Sequence, residues 1–313
     1  MKTIIKLIMF IFVTSGFLYA GESAGQAGAF LRIGLGPKAR GMGDTYTAIA
    51  DNASAAYYNP AGLAFLGQRE ASLSYSLMSF DRTFSYAGYV SPLPPNAGFT
   101  VGAIQSGFRD SDVRLRNGET TGENIEDTQY AVFLGFALRL GSKFAVGICP
   151  KLLYSKVYDV SASSFGADVG FMAKPIEHLT LGLAVKEIGQ KFKYSRNATG
   201  QGDQTTQDEL PRITRLGAAY EIPLAGSTFK SILIASDAEI NSAQTTKLHF
   251  GAETNVMDKF RFRIGLDERD LTAGFSVPFK IKQRQFRLDY AFIHDSRSGI
   301  AFGSQDMALS FVF

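Results

Sequence analysis

The sequence closes on Met307-Ala308-Leu309-Ser310-Phe311-Val312-Phe313, a run in which Met307, Leu309, Phe311 and Phe313 fall at every second position. Side chains alternate faces along a strand, so these four share one face. A lipid-facing stripe is the direct reading, because a bacterial barrel closes on its last strand and thereby removes the edge of its sheet. The competing reading is a soluble β-sandwich, and alternation alone is compatible with either.

The opposite end bears on that choice. Residues 1–20 carry Lys2 and Lys6, an apolar stretch from Leu7 to Leu18, and Ala20 before Gly21. This is the layout of a cleavable signal peptide, which takes the mature chain out of the cytoplasm. An amino-terminal anchor fits poorly, because Thr14, Ser15 and Gly16 interrupt a core that is already short. Cys149 is the sole cysteine and lies far from the cleavage site, so neither a lipoprotein anchor nor an intramolecular disulfide is expected. Loss of Lys2 and Lys6 takes the formal charge from +3 to +1, which gives no reason to expect nucleic acid. Beyond the leader no run of about eighteen apolar residues occurs, so a membrane-embedded mature chain must cross as strands.

Such strands are countable. Val132, Leu134, Phe136, Leu138 and Leu140 oppose Phe133, Gly135, Ala137 and Arg139; Phe144, Val146, Ile148, Leu152 and Tyr154 oppose Ala145, Gly147, Cys149, Lys151 and Ser155. Leu179 to Val185, Leu248 to Val256, Phe260 to Leu266 and Phe286 to Phe292 repeat the pattern, with charges consistently on the second face. The first face suits lipid and the second a lumen. The expected strands are 70–80, 83–92, 97–108, 128–141, 142–158, 161–174, 178–189, 212–222, 229–240, 245–256, 259–267, 270–280, 284–294 and 304–313. That makes about fourteen, an even number suited to a transmembrane antiparallel barrel. The longest connections, 109–127, 190–211 and 295–303, all fall in odd positions, and the even ones are tight. Long outer loops and short periplasmic turns produce this parity. With no tryptophan in the chain, Tyr and Phe are left to form the interfacial girdles.

Residues 21–68 do not read as barrel, which is assigned to 69–313. The stretch from Phe30 to Asp44 is rich in glycine, and that from Thr45 to Leu66 is rich in alanine with Asp51, Asn52, Asn59 and Pro60 among it. Short helices and turns are expected, with enough apolar residues to pack in the lumen as a helical and irregular hatch. A periplasmic cap is the competing arrangement. Asn59 before Pro60 favours a defined corner, and Gly41, Gly43 and Gly62 permit close approach or positive φ. Asp44 and Asp51 are candidates to pair with lumenal Arg139, Arg215, Arg261, Arg263 or Arg287, since buried charges are ordinarily paired.

The stretch Gly36-Pro37-Lys38-Ala39-Arg40-Gly41-Met42-Gly43-Asp44, continuing through Ala48-Ile49-Ala50-Asp51-Asn52-Ala53 to Tyr57-Tyr58-Asn59-Pro60-Ala61-Gly62-Leu63-Ala64, resembles the amino-terminal signature of the PorV/PorQ family. That family sits within the wider group of long-chain fatty-acid transporter (FadL-like) barrels. The resemblance implies a fourteen-strand barrel with an amino-terminal hatch in the outer membrane of a diderm bacterium. It departs at Pro37 and Lys38, at Thr45, and at Asn52, where a second Asp is frequent.

Enzyme motifs do not assemble. Gly21-Glu22-Ser23-Ala24-Gly25 matches G-x-S-x-G without a preceding strand, and His178, His249 and His294 fall in a turn, a lumenal strand and an outer loop. Asn197-Ala198-Thr199 fits a glycosylation acceptor, which carries no weight on a bacterial loop. No catalytic, cofactor-binding or metal residue is assigned. The resemblance implies a non-enzymatic accessory of protein secretion or surface attachment, of type IX kind, with secreted proteins or secretion-system components as partners besides outer-membrane lipid. The alternative is a FadL-like transporter of hydrophobic small molecules, whose partner would be the apolar ligand.

Overall fold

The computed structural model describes residues 27–79, 81–114, 120–158, 160–196, 205–226, 228–294, 296 and 303–313, so the expected leader and the Asn197 acceptor lie outside the described residues. Alternating sequence becomes strand throughout. The first seven strands are β1 (Glu70–Leu77), β2 (Thr83–Leu93), β3 (Ala97–Arg114), β4 (Thr120–Leu140), β5 (Phe144–Val157), β6 (Val160–Ala173) and β7 (Leu179–Ile188). A short pair, β8 (Lys191–Arg196) and β9 (Thr205–Glu209), precedes β10 (Ile213–Pro223), β11 (Phe229–Asn241), β12 (Lys247–Val256) and β13 (Phe260–Asp267). The chain ends with β14 (Asp270–Ile281), β15 (Arg284–Ile293) and β16 (Ser304–Val312).

Every neighbouring pair is antiparallel. The ladder runs from β1 to β7, passes directly to β10, continues to β16, and closes because β16 pairs with β1 from Gln305↔Leu77 to Val312↔Glu70. Sixteen strands less the β8–β9 pair leave a closed barrel of fourteen. Its outward face carries the expected stripe: Leu134 is 58% exposed and Ile264 67%, while Ala131, Phe133, Lys151 and Arg263 on the other parity are buried. Closure removes the free edge that would otherwise template aggregation.

Two connections differ from expectation. The region 109–127 is mostly strand, since β3 runs to Arg114 and β4 starts at Thr120. Within 190–211, β8 and β9 form a hairpin that hydrogen-bonds to the amino-terminal end of β6, from Val160↔Arg196 to Ser163↔Lys193. A bulge makes room for it. Between Ala167↔Ile188 and Val169↔Val185, Asp168 alone faces Lys186 and Glu187, so these two consecutive side chains both turn inward. The Asp168 carboxylate accepts from the displaced Glu187 N–H at 3.0 Å. No regular alternation announces either feature, which is why a periodicity reading passes over them.

The amino-terminal segment fills the lumen. It consists of 3-10 turns at Ala29–Arg32 and Pro60–Phe65 and two single-turn helices, α1 (Pro37–Arg40) and α2 (Ala55–Tyr58). Leu35, Tyr46, Tyr58 and Leu63 are fully buried and join inward-facing Phe84, Ile104, Phe133 and Leu153 in one apolar core. Phe192 and Leu210 of the hairpin region belong to the same core, so plug, wall and outer hairpin pack as one body. No described helix is long and apolar enough to cross a membrane.

Candidate functional site

The plug meets the wall at a collar of inward-facing glycines. A Cβ on Gly265 would stand 2.1 Å from the Gly43 nitrogen, one on Gly251 2.4 Å from the Met42 carbonyl, and one on Gly182 2.3 Å from the Thr47 carbonyl. Across the lumen, Gly147 lies against the Pro60 backbone in the same manner, while Gly170 makes room for the Asn59 side chain, whose Oδ1 would stand 2.1 Å from an added Cβ. Gly147 opposes Gly170, Gly182 opposes Gly217, and Gly251 opposes Gly265 across their ladders. Hatch backbone therefore seats directly on wall backbone, at distances no side chain could share. On the plug side, Gly43 adopts φ 64° and donates its N–H to Thr272 Oγ1 at 3.0 Å. Gly41 has ordinary helical φ and is small for a different reason, its contact with Gly274. Gly62 lies against the Ala50 carbonyl.

Three polar clasps hold the plug. Asn59, fully buried, donates through Nδ2 to Thr47 O (2.9 Å) and to Phe171 O on β6 (3.1 Å), and its Oδ1 accepts from Ala61 N (3.0 Å). One amide thus caps the Pro60–Phe65 turn, closes the hatch on itself and ties it to the barrel. Asp237 on β11 is the second clasp: its Oδ2 accepts from Tyr46 N (3.0 Å), Thr47 N (2.9 Å) and Thr47 Oγ1 (2.6 Å). The third is ionic. Arg215 on β10 contacts Asp44 Oδ2 at 3.2 Å and Glu239 at 2.7 Å, and Asp44 also accepts from the Tyr58 hydroxyl at 2.5 Å. Burial and the Asp44 carboxylate push the Tyr58 phenol well up, so it remains a donor. Arg40 adds a contact to Asp306 on β16 at 3.2 Å.

The other sequence candidates are placed elsewhere. Asp51 pairs inside the hatch, with Lys38 Nζ at 2.6 Å and with the Tyr46 hydroxyl at 2.5 Å, and reaches no arginine among the described pairs. Burial would raise its carboxyl, but the Lys38 ammonium and these hydrogen bonds prevail and hold it well below the usual carboxylate range, even though 47% of the side chain is open. Asn52 closes a local turn by accepting from Ser54 N at 3.0 Å. Arg263 and Arg287 are lumenal and brace the wall: Arg263 meets Glu253 and Asp289, and Arg287 meets Asp289 and Glu70. Arg261, 44% open, joins Glu253 at 3.3 Å. Arg139 is not among the lumenal charges. It lies at the turn end of β4, where its guanidinium donates to Pro95 O and Asn96 Oδ1. The alternation assigned it to the lumen because inward parity continues into the rim.

Lys38, Arg40, Asp237, Asp306 and the buried group Lys151, Asp168 and Glu187 were absent from the sequence candidates. Asp237, Glu239 and Asn241 are polar at every second residue of β11, and that period was the signal available for the second clasp. Among the described residues no cluster of three or more His, Cys, Asp or Glu is arranged to hold a metal.

At the end of the barrel bearing the tight turns, a cavity of about 490 Å³ opens between Ala48–Asp51 of the hatch and the ends of β5, β6, β7, β10 and β11. Its floor includes Ile49, Phe65, Met172 and Leu233.

No protein-family profile matches the sequence, and no curated protein matches it either. Solved structures do. The Pseudomonas putida toluene transporter TodX superposes with TM-score 0.59 at 15% identity, covering 89% of this chain and 96% of its own. The CymD monoaromatic hydrocarbon channel gives 0.58 at 13%, over 90% and 97%, and a Pseudomonas aeruginosa FadL homologue 0.57 at 12%, over 89% and 98%. The chain shares their fold. This corrects the secretion-accessory expectation: structures matching about nine-tenths of the chain are hydrocarbon channels and a FadL homologue, and PorV/PorQ kinship is not what the match supports. The quoted signature covers only the hatch. There its Gly and Asn-Pro elements form the backbone fit and the Asn59 clasp, so they report how a plug is seated and not what the barrel serves.

Proposed function

We propose that this chain is a plugged channel of a diderm outer membrane that passes hydrophobic small molecules and performs no bond chemistry. The observation that carries the reading is the hatch itself: a segment inside a closed barrel, seated on glycine and fastened by a few polar clasps. Such a plug blocks solutes while leaving a path that opens without disturbing the ladder. The likeness to hydrocarbon channels over nine-tenths of the chain supports the choice of apolar cargo. In this reading residues 1–20 are a leader, 21–68 the hatch and 69–313 the barrel. The outward stripe seats in lipid, and the tight turns face the periplasm.

The test is uptake. A host lacking its own hydrocarbon channel and expressing the chain should accumulate radiolabelled toluene faster than the vector control, with the protein in the outer-membrane fraction and heat-modifiable on gels. Equal uptake by both strains would remove the transport reading. Recovery of the protein from the soluble periplasm would remove the barrel's placement.

A further inference from the structure

The cavity at the periplasmic mouth combines an apolar floor with cations that lack carboxylate partners. Lys143 and Lys174 stand directly opposite each other, one step beyond Phe144↔Ala173, with Lys174 N donating to Lys143 O at 2.7 Å. Like charges at directly opposed positions are destabilising, and an anion between them would offset the repulsion. Among the described residues neither lysine has one. The Lys143 ammonium donates to Pro175 O at 2.9 Å, and the Lys174 ammonium lies 4.2 Å over the Phe65 ring. Partial desolvation against the hatch and nearby Arg139 draw the Lys174 pKa down, with Asp51 opposing, although its side chain is open to solvent. Among the described residues Arg139 bonds neutral oxygens, which adds a third cation without a carboxylate partner to this rim.

Three carboxylates also line the space, and none takes up those cations. Asp51 is held by Lys38, Glu177 lies 3.5 Å from His178, and Glu221 reaches neither lysine within ion-pair distance. An apolar body with one anionic group matches the arrangement, its body on Ile49, Phe65 and Leu233 and its charge between the lysines. A volume of about 490 Å³ lies within the range of small-molecule sites.

We propose that this mouth is a binding site for a hydrophobic carboxylate of one or two rings, held by Lys143 and Lys174 as it leaves the hatch. The inference rests on the channel reading for its direction of travel, but not for the binding itself. It makes the site selective for acids over neutral analogues of equal shape, by the charge-assisted hydrogen bonds that a carboxylate accepts from ammonium groups.

The sequence has no tryptophan, so a naphthyl probe can be read by fluorescence anisotropy on the detergent-folded protein. 2-Naphthoate should bind about tenfold more tightly than 2-naphthalenemethanol, a ratio equal to roughly 1.4 kcal/mol. Lys143→Met with Lys174→Met should bring the acid down to the alcohol's affinity and leave the alcohol unchanged, while Lys174→Arg should keep most of the preference. Both lysines are exposed, and heat-modifiable migration verifies that the variants are folded. Equal binding of acid and alcohol by the wild type overturns the proposal, as does a preference that survives the double substitution. Toluene uptake is scored separately. Uptake without acid selectivity sinks this site alone, whereas acid selectivity without uptake sinks the channel reading alone.

Discussion

Among individual residues Asn59 does the most with the least. It contributes one amide and no charge, yet satisfies a carbonyl of the hatch, a carbonyl of β6 and the first N–H of a turn. Asn59→Ala leaves those groups unpaired in a site without water access, at a cost of roughly 2–4 kcal/mol to hatch docking. Amide exchange over residues 44–64 should accelerate, while exchange in the barrel strands stays slow; unchanged hatch protection would show that the clasp is redundant. Asp51 supplies a pH-dependent counterpart. Its folded pKa is depressed, so the Lys38 pairing contributes fully above the unfolded carboxylate value near 3.9 and is lost only gradually as pH falls from there through the much lower folded value. Wild type and Asp51→Asn should therefore differ in hatch protection at pH 6, hold that gap down to about pH 4, and narrow it progressively as the pH is taken lower. A gap that does not change between pH 6 and pH 2.5 would assign the difference to packing. Asn59 was readable in sequence because Asn-Pro has local consequences. The Asp51–Lys38 pairing was not, because the two residues stand thirteen positions apart and no pattern between them brings them together.

At the scale of elements, the sequence was read best where one period governs many residues. Strand after strand falls within a few residues of its alternation, and the barrel count survives because the outward and inward faces differ so strongly in composition. The same reading saw Gly147, Gly182, Gly251 and Gly265 only as small lumenal residues. Their joint role depends on register between strands, which no single strand encodes, and on a plug whose path has no period. The collar makes a sharp prediction. In Gly265→Ala the new methyl would fall 2.1 Å from the Gly43 nitrogen, a backbone atom that cannot rotate aside. Hatch seating should weaken by about 1–3 kcal/mol, seen as faster proteolysis within residues 36–66 of the folded protein. Ile264→Val, one residue away but 67% exposed on the barrel's outward face, should leave that proteolysis unchanged. Equal cleavage in both variants would mean that the plug tolerates displacement and that the collar confers no fit.

For the whole molecule, the two parts are stabilised by different means. The barrel rests on a ladder that closes β16 on β1, and every strand has two neighbours, so no part of it can leave without opening the ring. The hatch has no ladder. It is held by apolar packing, backbone contact and the clasps at Asn59, Asp237 and Asp44, each reversible and each independent of the barrel's own hydrogen bonds. Denaturant should therefore release the hatch first. In urea, the detergent-folded protein should pass through a state whose amino-terminal segment is open to protease while its heat-modifiable migration is intact. Asp237→Ala frees Tyr46 N and both donors of Thr47 from their shared acceptor, so it should move the first transition to lower urea and leave the second in place. In planar bilayers the same variant should conduct small ions more often than the wild type, because a loosened plug no longer fills the lumen. A single transition, shifted as a whole by Asp237→Ala, would mean that plug and wall unfold as one structure, and the hatch could then not act as a gate within an intact barrel.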